Sequence, residues 1–353
     1  MDIKRTAKKA VKTKAKNSIV GIANKKKKGD KKGGKKGLIL GLVLLLIIGA
    51  GGFFAYQSGL LDNLFGDDDA APAITLMPTP PPAEAPSMEI LDGDVIVTFI
   101  SVGQGDAILI RDGNSAVLID AGDQRPGTAP IILEYLQEAG VTTLNYIVGT
   151  HPHADHIGSF ATIINSENVT VEAVLMPEQP HTTQVFGRFI DALLYHEIRT
   201  VYAERGNSIQ AGNIELKIVA PGPRDVPNRN LNNTSVVLLL THGMNTFLFT
   251  GDAEIPSEQN MVNSGLSLSA DIMQAGHHGS RTSSSIALVD AVNPSVIAIS
   301  VGAGNKYGHP HPCVMERFEQ IGAQVFRTDE MGHLVFVSNG QDILLPDGTF
   351  LRS

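Results

Sequence analysis

Four side chains of the types that bind metal ions fall within six residues of this sequence. They are His151, His153, Asp155 and His156, and they follow an apolar run at residues 144–148 that predicts a buried strand. Imidazole nitrogens and carboxylate oxygens suit zinc, manganese or iron. The first two side chains alternate along extended chain and can face one metal, whereas the last two lie where a predicted helix begins. This spacing predicts two metal ions held close together at a strand-to-helix junction.

Two later segments supply further candidate ligands, each at the end of a predicted strand. Residues 245–250 form an apolar strand that leads to Asp252, whose carboxylate could bridge both metals. Residues 270–275 read as another strand, and it leads to His277 and His278. One of these histidines completes the ligand set, and the other is free to contact substrate or to protonate a leaving group. We favour His278 as the ligand and His277 as the catalytic group.

The predicted metal pair indicates hydrolysis, because two cations that share a water lower its pKa and stabilise charge on a phosphoryl or carbonyl oxygen. Asp155 or Asp252 would orient the nucleophile as well as bind metal. Arg281 and the hydroxyls and backbone amides of residues 279–284, Ser280 among them, could receive an anionic group. A helix N-cap is the alternative interpretation of that Ser- and Thr-rich stretch.

A second polar cluster follows a predicted strand at residues 296–301. Asn305, Tyr307 and His309 lie there in a Gly-rich loop, and loops at strand ends often line pockets. We therefore predict these three as substrate contacts, with an ordinary turn as the alternative. The single cysteine, Cys313, excludes an intramolecular disulfide, and its place in a helix-like segment favours burial over catalysis.

From residue 94 onward the sequence alternates strand-like and helix-like segments and is long enough for one large core. A proline in the first turn and a glycine at the end predict a helix over residues 130–139. A second, amphipathic helix is predicted at residues 184–197. Strands before Asp252 are predicted at residues 95–100, 106–110, 116–120, 144–148, 171–176, 214–219, 236–240 and 246–250.

Six motifs, which occur in the family's order, give the chain its resemblance to metallo-β-lactamase-fold hydrolases. More narrowly, it resembles the hydrolase domain of ComEC-type competence proteins, which act in DNA uptake. The resemblance covers about residues 94–340 and implies an α/β fold, a four-layer αββα sandwich, for residues 91–353. It also implies phosphodiesterase or nuclease activity, and it makes His309 a candidate for supporting a metal ligand or contacting a phosphate. The motifs are residues 102–107, 120–122, 151–156, 250–254, 277–280 and 305–310.

The sequence departs from the family pattern before the strand that leads to Asp252. Most members of the fold supply another histidine ligand there, but residues 230–235 read Asn-Leu-Asn-Asn-Thr-Ser. ComEC-type domains similarly carry Asn and Ser in this stretch, and Asn232 is a candidate substrate contact. We predict two divalent ions, zinc or manganese, and an oxygen-rich second site would favour manganese or magnesium.

Three other histidines could in principle replace the missing ligand. These are His181, His196 and His242. His196 ends the predicted helix at residues 184–197, and His242 falls in a predicted turn. We therefore expect these histidines to be ordinary surface residues.

The N-terminal region predicts where the chemistry takes place. Residues 1–36 carry a net charge of +13 and the rest of the chain carries −21. We predict a disordered cytoplasmic tail there, a transmembrane anchor at residues 37–57 and a Pro- and Asp-rich linker at residues 58–90. The positive-inside rule then places the large domain outside the membrane. A cleaved signal peptide is the alternative to a retained anchor.

Three substrate hypotheses are compatible with these features. The resemblance favours a nuclease or phosphodiesterase acting on DNA, although a domain at −21 repels a polyanion unless a local basic patch intervenes. A small or cell-envelope phosphodiester, or an acyl substrate, is the second hypothesis. The third, of another class, is a non-catalytic metal-binding module in an envelope or DNA-uptake complex.

Overall fold

The computed structural model describes residues 91–113, 115–222 and 230–352. The predicted Lys-rich tail, membrane anchor and linker lie outside these ranges and stay predictions of the sequence. Along the described ranges, no helix combines the length and the apolar character that a bilayer crossing requires.

Most of the strands belong to two large sheets, and the helices are interspersed among the strands along the chain. The strands are β1 (Val95–Phe99), β2 (Ile108–Asp112), β3 (Ser115–Ile119), β4 (Thr143–Leu144), β5 (Tyr146–Val148), β6 (Thr170–Val171), β7 (Ala173–Met176), β8 (Arg199–Tyr202), β9 (Ser208–Ala211), β10 (Ile214–Ala220), β11 (Val237–His242), β12 (Asn245–Phe249), β13 (Ile272–Gln274), β14 (Val296–Ile299), β15 (Gln324–Arg327), β16 (Leu334–Ser338) and β17 (Ile343–Leu344). The helices are α1 (Thr128–Glu138), α2 (Ala154–Ile157), α3 (Phe160–Ile164), α4 (Gln184–Tyr195), α5 (Ile255–Val262), α6 (Ile286–Val292), α7 (Pro312–Gln320) and α8 (Thr328–Met331), with short 3₁₀ turns at Leu231–Thr234 and Gly276–Gly279.

The two sheets differ in strand order but share one organisation. The first runs β17-β16-β1-β2-β3-β5-β7-β8 and the second runs β15-β14-β13-β12-β11-β10-β9. In the first sheet β3, β5, β7 and β8 are parallel, and in the second β12 to β15 are parallel. Loops that follow neighbouring parallel strands meet at one edge of a sheet, which is the usual position of sites in such folds. The predicted ligands follow β5, β12 and β13.

Three apolar clusters show how the layers stack. The inner cluster draws on both sheets, and Phe99 lies 6.3 Å from Phe249 and 5.9 Å from Phe336 between ring centroids. One outer cluster packs α1, α3 and α4 on the first sheet, and another packs α5, α6 and α7 on the second. Burying each such aromatic or aliphatic side chain contributes about 1.5–3 kcal/mol. The predicted mixed α/β architecture, with two facing sheets and helices outside, is confirmed.

Some local predictions were wrong, each for an identifiable reason. Strands β8 and β9 were missed because both are edge strands with solvent-exposed polar positions and no continuous apolar run. The strand predicted from residue 106 begins at Ile108, since the Asp106 backbone N–H leaves the ladder and donates to Asp155 O. His242 ends β11 instead of lying in a turn. Cys313 is exposed, because the first turn of α7 faces solvent.

Candidate metal centre

Asp252 lies at the centre of the cluster that the sequence predicts. It follows β12 through Thr250 and Gly251, is 1% exposed, and its backbone N–H donates to Ser235 Oγ at 3.2 Å. Two groups of side chains that could hold a metal ion share this carboxylate. One group consists of Asp106, His156, Asp252 and His278, and the other of His151, His153 and Asp252.

The Oδ1 atom of Asp252 faces two imidazoles. His156 Nε2 lies 3.2 Å from it and His278 Nε2 lies 3.8 Å from it. Asp155 Oδ2 is 3.6 Å from the same His278 nitrogen. A cation among these atoms would have two nitrogen and two oxygen ligands, a set that suits zinc or manganese.

The hydrogen-bond pattern shows that these atoms suit a cation. In the described part of the chain, His156 Nε2, His278 Nε2 and Asp252 Oδ1 are buried and have no hydrogen-bond partner. Buried polar atoms are normally paired, so three such atoms aimed at one another fit a ligand that is itself a cation. Asp106 Oδ1 is also buried without a partner, but the oxygens of Asp106 approach His156 and His278 from the Nδ1 side, at 3.7 and 3.5 Å, and not from the Nε2 side that faces Asp252. We therefore regard Asp106 as a supporting residue, and Asp155 as the ligand.

The Oδ2 atom of Asp252 faces a second set of imidazoles. His277 Nε2 lies 3.5 Å from it and His151 Nε2 lies 3.7 Å from it. His153 Nδ1 in turn lies 2.9 Å from His151 Nε2. The carboxylate of Asp252 thus has histidine nitrogens on both of its oxygens, as a bridging ligand would.

Asp120 orients ligands on both sides of the cluster. Its Oδ2 accepts from His156 Nδ1 and from Thr150 Oγ1, both at 2.7 Å. Because the Thr150 hydroxyl donates to Asp120, it can only accept from His151 Nδ1, which lies 3.1 Å away. These contacts occupy the Nδ1 atoms of His151 and His156 and turn their Nε2 atoms toward Asp252. Carboxylates behind metal-bound histidines fix the tautomer in this way.

Replacing Asp120 with alanine should weaken metal binding about 10- to 100-fold, because both histidines lose the group that orients them. Isothermal titration of the metal-stripped chain with manganese measures the effect. Asp120→Asn keeps an acceptor oxygen and should fall between the wild type and the alanine variant. Equal affinity in all three proteins would contradict the orienting role.

Strained backbone brings His277 and His278 to the cluster. Both have positive φ angles, 51° and 56°, in a region that non-glycine residues rarely occupy. The neighbouring loop holds this turn, since Gly276 N–H donates to Ser284 Oγ, and the buried Glu258 carboxylate accepts from the backbone N–H groups of Ser284 and Ser285. The turn therefore points one imidazole at each oxygen of Asp252.

The charge distribution of the cluster follows from its burial. Burial alone would lower the pKa of His156, but the carboxylates of Asp252 and Asp120 hold that pKa well above its usual range. The pKa of His278 is likewise raised, against burial, by Asp106 and Asp252. Burial would raise the pKa of Asp252, yet the nearby His156 and His278 keep it well below its usual range. A divalent cation would replace the protons on these histidines, since metal ligands must be deprotonated.

Glu254 was not predicted from the sequence, and it contacts His277 directly. Its Oε1 lies 3.4 Å from His277 Nδ1 and accepts from Asn232 Nδ2 at 2.9 Å. Asn232 is therefore buried beside His277, and its side-chain N–H group donates a hydrogen bond to the Glu254 carboxylate. Glu254, Asp106 and Asp120 all lie within the six motifs, and that position is the signal by which the sequence could have identified them.

The remaining predicted substrate residues divide between buried supports and exposed positions. Ser280 is buried, and its hydroxyl pairs with that of Thr282 at 3.0 Å. Asn305 holds its own loop together, since its amide oxygen accepts from the backbone N–H groups of Tyr307 and His309. Arg281 and Tyr307 are exposed, and the His309 ring lies 5.6 Å from the His277 ring.

None of the three spare histidines joins either group of candidate ligands. His196 Nε2 pairs with Asn165 Oδ1 and His242 Nδ1 pairs with Ser338 Oγ. His181 approaches closest, with its ring 6.5 Å from that of His153 and its Nδ1 paired with Thr183 Oγ1.

Two facing sheets with outer helices carry, at the strand ends, a histidine and carboxylate cluster that could hold metal ions, which is the arrangement of an α/β metallohydrolase fold. A sequence model of the metallo-β-lactamase superfamily matches residues 100–302, and the chain belongs to that superfamily.

The chain is also similar in sequence to proteins of the competence family. The chain is 26% identical over 256 residues to ComE operon protein 3 of Bacillus subtilis. That alignment covers 68% of this chain and 32% of the relative. It is 31% identical over 242 residues to Recombination protein 2 of Haemophilus influenzae, with 67% and 28% covered. It is 30% identical over 246 residues to Competence protein ComA of Neisseria gonorrhoeae, with 69% and 32% covered. The chain thus spans about a third of the length of these relatives.

Proposed function

We propose that this chain is a metal-dependent phosphodiesterase that acts on DNA and uses two divalent cations, zinc or manganese. The observation that carries the proposal is the set of unpaired buried atoms around Asp252, namely His156 Nε2, His278 Nε2 and Asp252 Oδ1. Divalent cations held there lower the pKa of a water molecule and offset the charge that develops on a phosphoryl oxygen. The names of two relatives, Competence protein ComA and Recombination protein 2, favour nucleic acid as the substrate.

Both oxygens of Asp252 take part in the proposed ligand arrangement. Asp155, His156 and His278 would hold one cation on the Oδ1 side. His151, His153 and His277 would hold the other on the Oδ2 side, so that His277 takes the place of the histidine missing from residues 230–235. This differs from the catalytic role that the sequence alone suggested for His277. The support is the carboxylate of Glu254 behind Nδ1, which repeats the relation of Asp120 to His156.

Asp155 and His309 would act on the reacting groups. The side chain of Asp155 is 33% exposed, and despite partial burial its pKa is lowered by His278 and His156. Its ionised carboxylate can therefore accept a hydrogen bond from water and orient that water at neutral pH. Burial and the neighbouring His277 and His278 lower the pKa of His309 to about 4. A neutral His309 can donate one N–H to a phosphoryl oxygen.

The proposed location rests on the sequence. Residues 38–56 form an uncharged run of 19 with the Lys-rich segment before it, as expected of an anchor with its C-terminal domain outside the membrane. Protease added to intact cells should then remove the domain, and a domain that is cut only after lysis would contradict this orientation.

The test of the function uses the full-length chain, stripped with EDTA and reloaded with manganese or zinc. We expect it to cleave linear DNA and bis-p-nitrophenyl phosphate, and we expect Asp155→Ala to abolish both activities. Turnover of the small diester alone would move the substrate to a cell-envelope phosphodiester. Failure on both substrates with metal bound would overturn the proposal in favour of an acyl substrate or a binding role.

A further inference from the structure

A row of aromatic rings, here called the aromatic ladder, runs from the candidate metal ligands to the surface along residues 302–311, here called the Tyr307 loop. The His309 ring lies 5.6 Å from that of His277 and 6.5 Å from that of His278. On its other side it stacks with Tyr307, with centroids 5.6 Å apart and planes inclined by 25°. Tyr307 is 51% exposed. One side chain therefore separates an exposed aromatic face from the histidines that face Asp252.

The loop is built to hold this arrangement without a ligand. Asn305 Nδ2 donates to the carbonyl oxygens of Gly302 and His309, while its Oδ1 accepts from two backbone N–H groups of the loop. A Cβ on Gly279 would lie 2.5 Å from Pro310, so the loop packs directly on the turn that carries His277 and His278. Fixed geometry of this kind reduces the entropy that ligand binding costs.

Polar groups beside the ladder suit a nucleotide. In the described residues, His309 Nδ1 is buried and has no hydrogen-bond partner. Lys306 Nζ lies over the Tyr307 ring, 5.1 Å from its centroid, and this exposed, flexible side chain swings aside when a base stacks there. Arg281 is exposed, and its backbone N–H donates to His311, whose ring is 4.8 Å from that of His309. The Lys306 ammonium thus lies against the ladder, in a domain whose sequence is otherwise strongly acidic.

We propose that the exposed face of Tyr307 is a stacking platform for the nucleobase next to the scissile phosphate, so that the substrate is single-stranded DNA. This inference rests on the proposed phosphodiesterase function and adds the substrate class. Bases stack on aromatic side chains in sequence-independent binding of single strands, with basic side chains along the backbone. A base inside a duplex has both faces covered by its neighbours, and a small diester without a base has no such face.

Two strands of equal length and charge isolate the contribution of the base. One is an oligothymidylate and the other is its abasic tetrahydrofuran counterpart, and the full-length chain reloaded with manganese is offered each in turn. We expect kcat/KM to favour the oligothymidylate about 5- to 150-fold, the equivalent of about 1–3 kcal/mol of stacking. Tyr307→Ala should move this ratio toward one, while Tyr307→Phe and Tyr307→Trp should keep it.

Tyr202 supplies the matched control, because it is 54% exposed on the edge strand β8, outside the ladder. Tyr202→Ala should keep the wild-type ratio. A wild-type ratio near one, or an unchanged ratio in Tyr307→Ala, would overturn the stacking inference while leaving the phosphodiesterase function intact. If the wild type cleaves neither strand, the proposed function fails, and fluorescence anisotropy then tests stacking by itself. Equal affinities for the two strands in that experiment would overturn it as well.

Discussion

Replacing Asp252 with asparagine should reduce hydrolysis of a phosphodiester about 10³-fold or more and reduce the bound metal from two ions per chain. The carboxylate has histidine nitrogens 3.2 to 3.8 Å from its two oxygens, so both metal positions depend on its charge. Loss of about 4 kcal/mol of charge stabilisation corresponds to that change in rate. Metal content by inductively coupled plasma mass spectrometry and single-turnover rates measure the two effects.

An exposed aspartate provides the control for this experiment. Asp290 lies on the solvent side of α6, and Asp290→Asn removes the same charge without touching the cluster. We expect wild-type metal content and rate from it. Two full metal equivalents in Asp252→Asn would show that this residue does not bridge.

Replacing His277 with alanine should reduce the bound metal from two ions per chain to one. If His277 is a ligand on the Oδ2 side, His151 and His153 alone leave that position with two imidazoles and the shared carboxylate. The other position keeps all its ligands. A purely catalytic His277, as the sequence first suggested, would instead lower the rate and leave two ions bound. Metal content measured beside the rate therefore separates the two roles.

His196 is the matched control for that variant. It is exposed at the end of α4, where it pairs with Asn165, and it was one of the histidines considered as a substitute ligand. His196→Ala should bind two ions. A loss of metal from this variant, with retention in His277→Ala, would reverse the proposed ligand assignment.

The local features of the site could be predicted from the sequence because they depend on spacing along the chain. The four candidate ligands from His151 to His156 and the strand before them are local patterns, and the structure divides that predicted strand between β4 and β5. Asp252 and His278 could be predicted for the same reason, since each follows an apolar strand. Edge strands such as β8 could not, because they carry no apolar run.

Long-range contacts decided the rest of the site. From the sequence, Asp120 was recognised only as part of a motif, with no role of its own. In the structure it supports His156 directly and His151 through Thr150. Glu254 supports His277, which had been expected to act on the substrate. Neither relation depends on spacing along the chain, because the partners follow strands that become neighbours only when the sheets form.

The sequence by itself determined the kinds of ligand, their order and the class of chemistry, because side-chain type and periodicity are local properties. Only the tertiary structure decided which oxygen of Asp252 each histidine faces, and that His277 lies on the same side as His151. It also placed Tyr307 against His309, whose ring in turn lies beside that of His277. These relations depend on how two sheets pack around a shared core, which brings residues more than a hundred positions apart within a few ångströms.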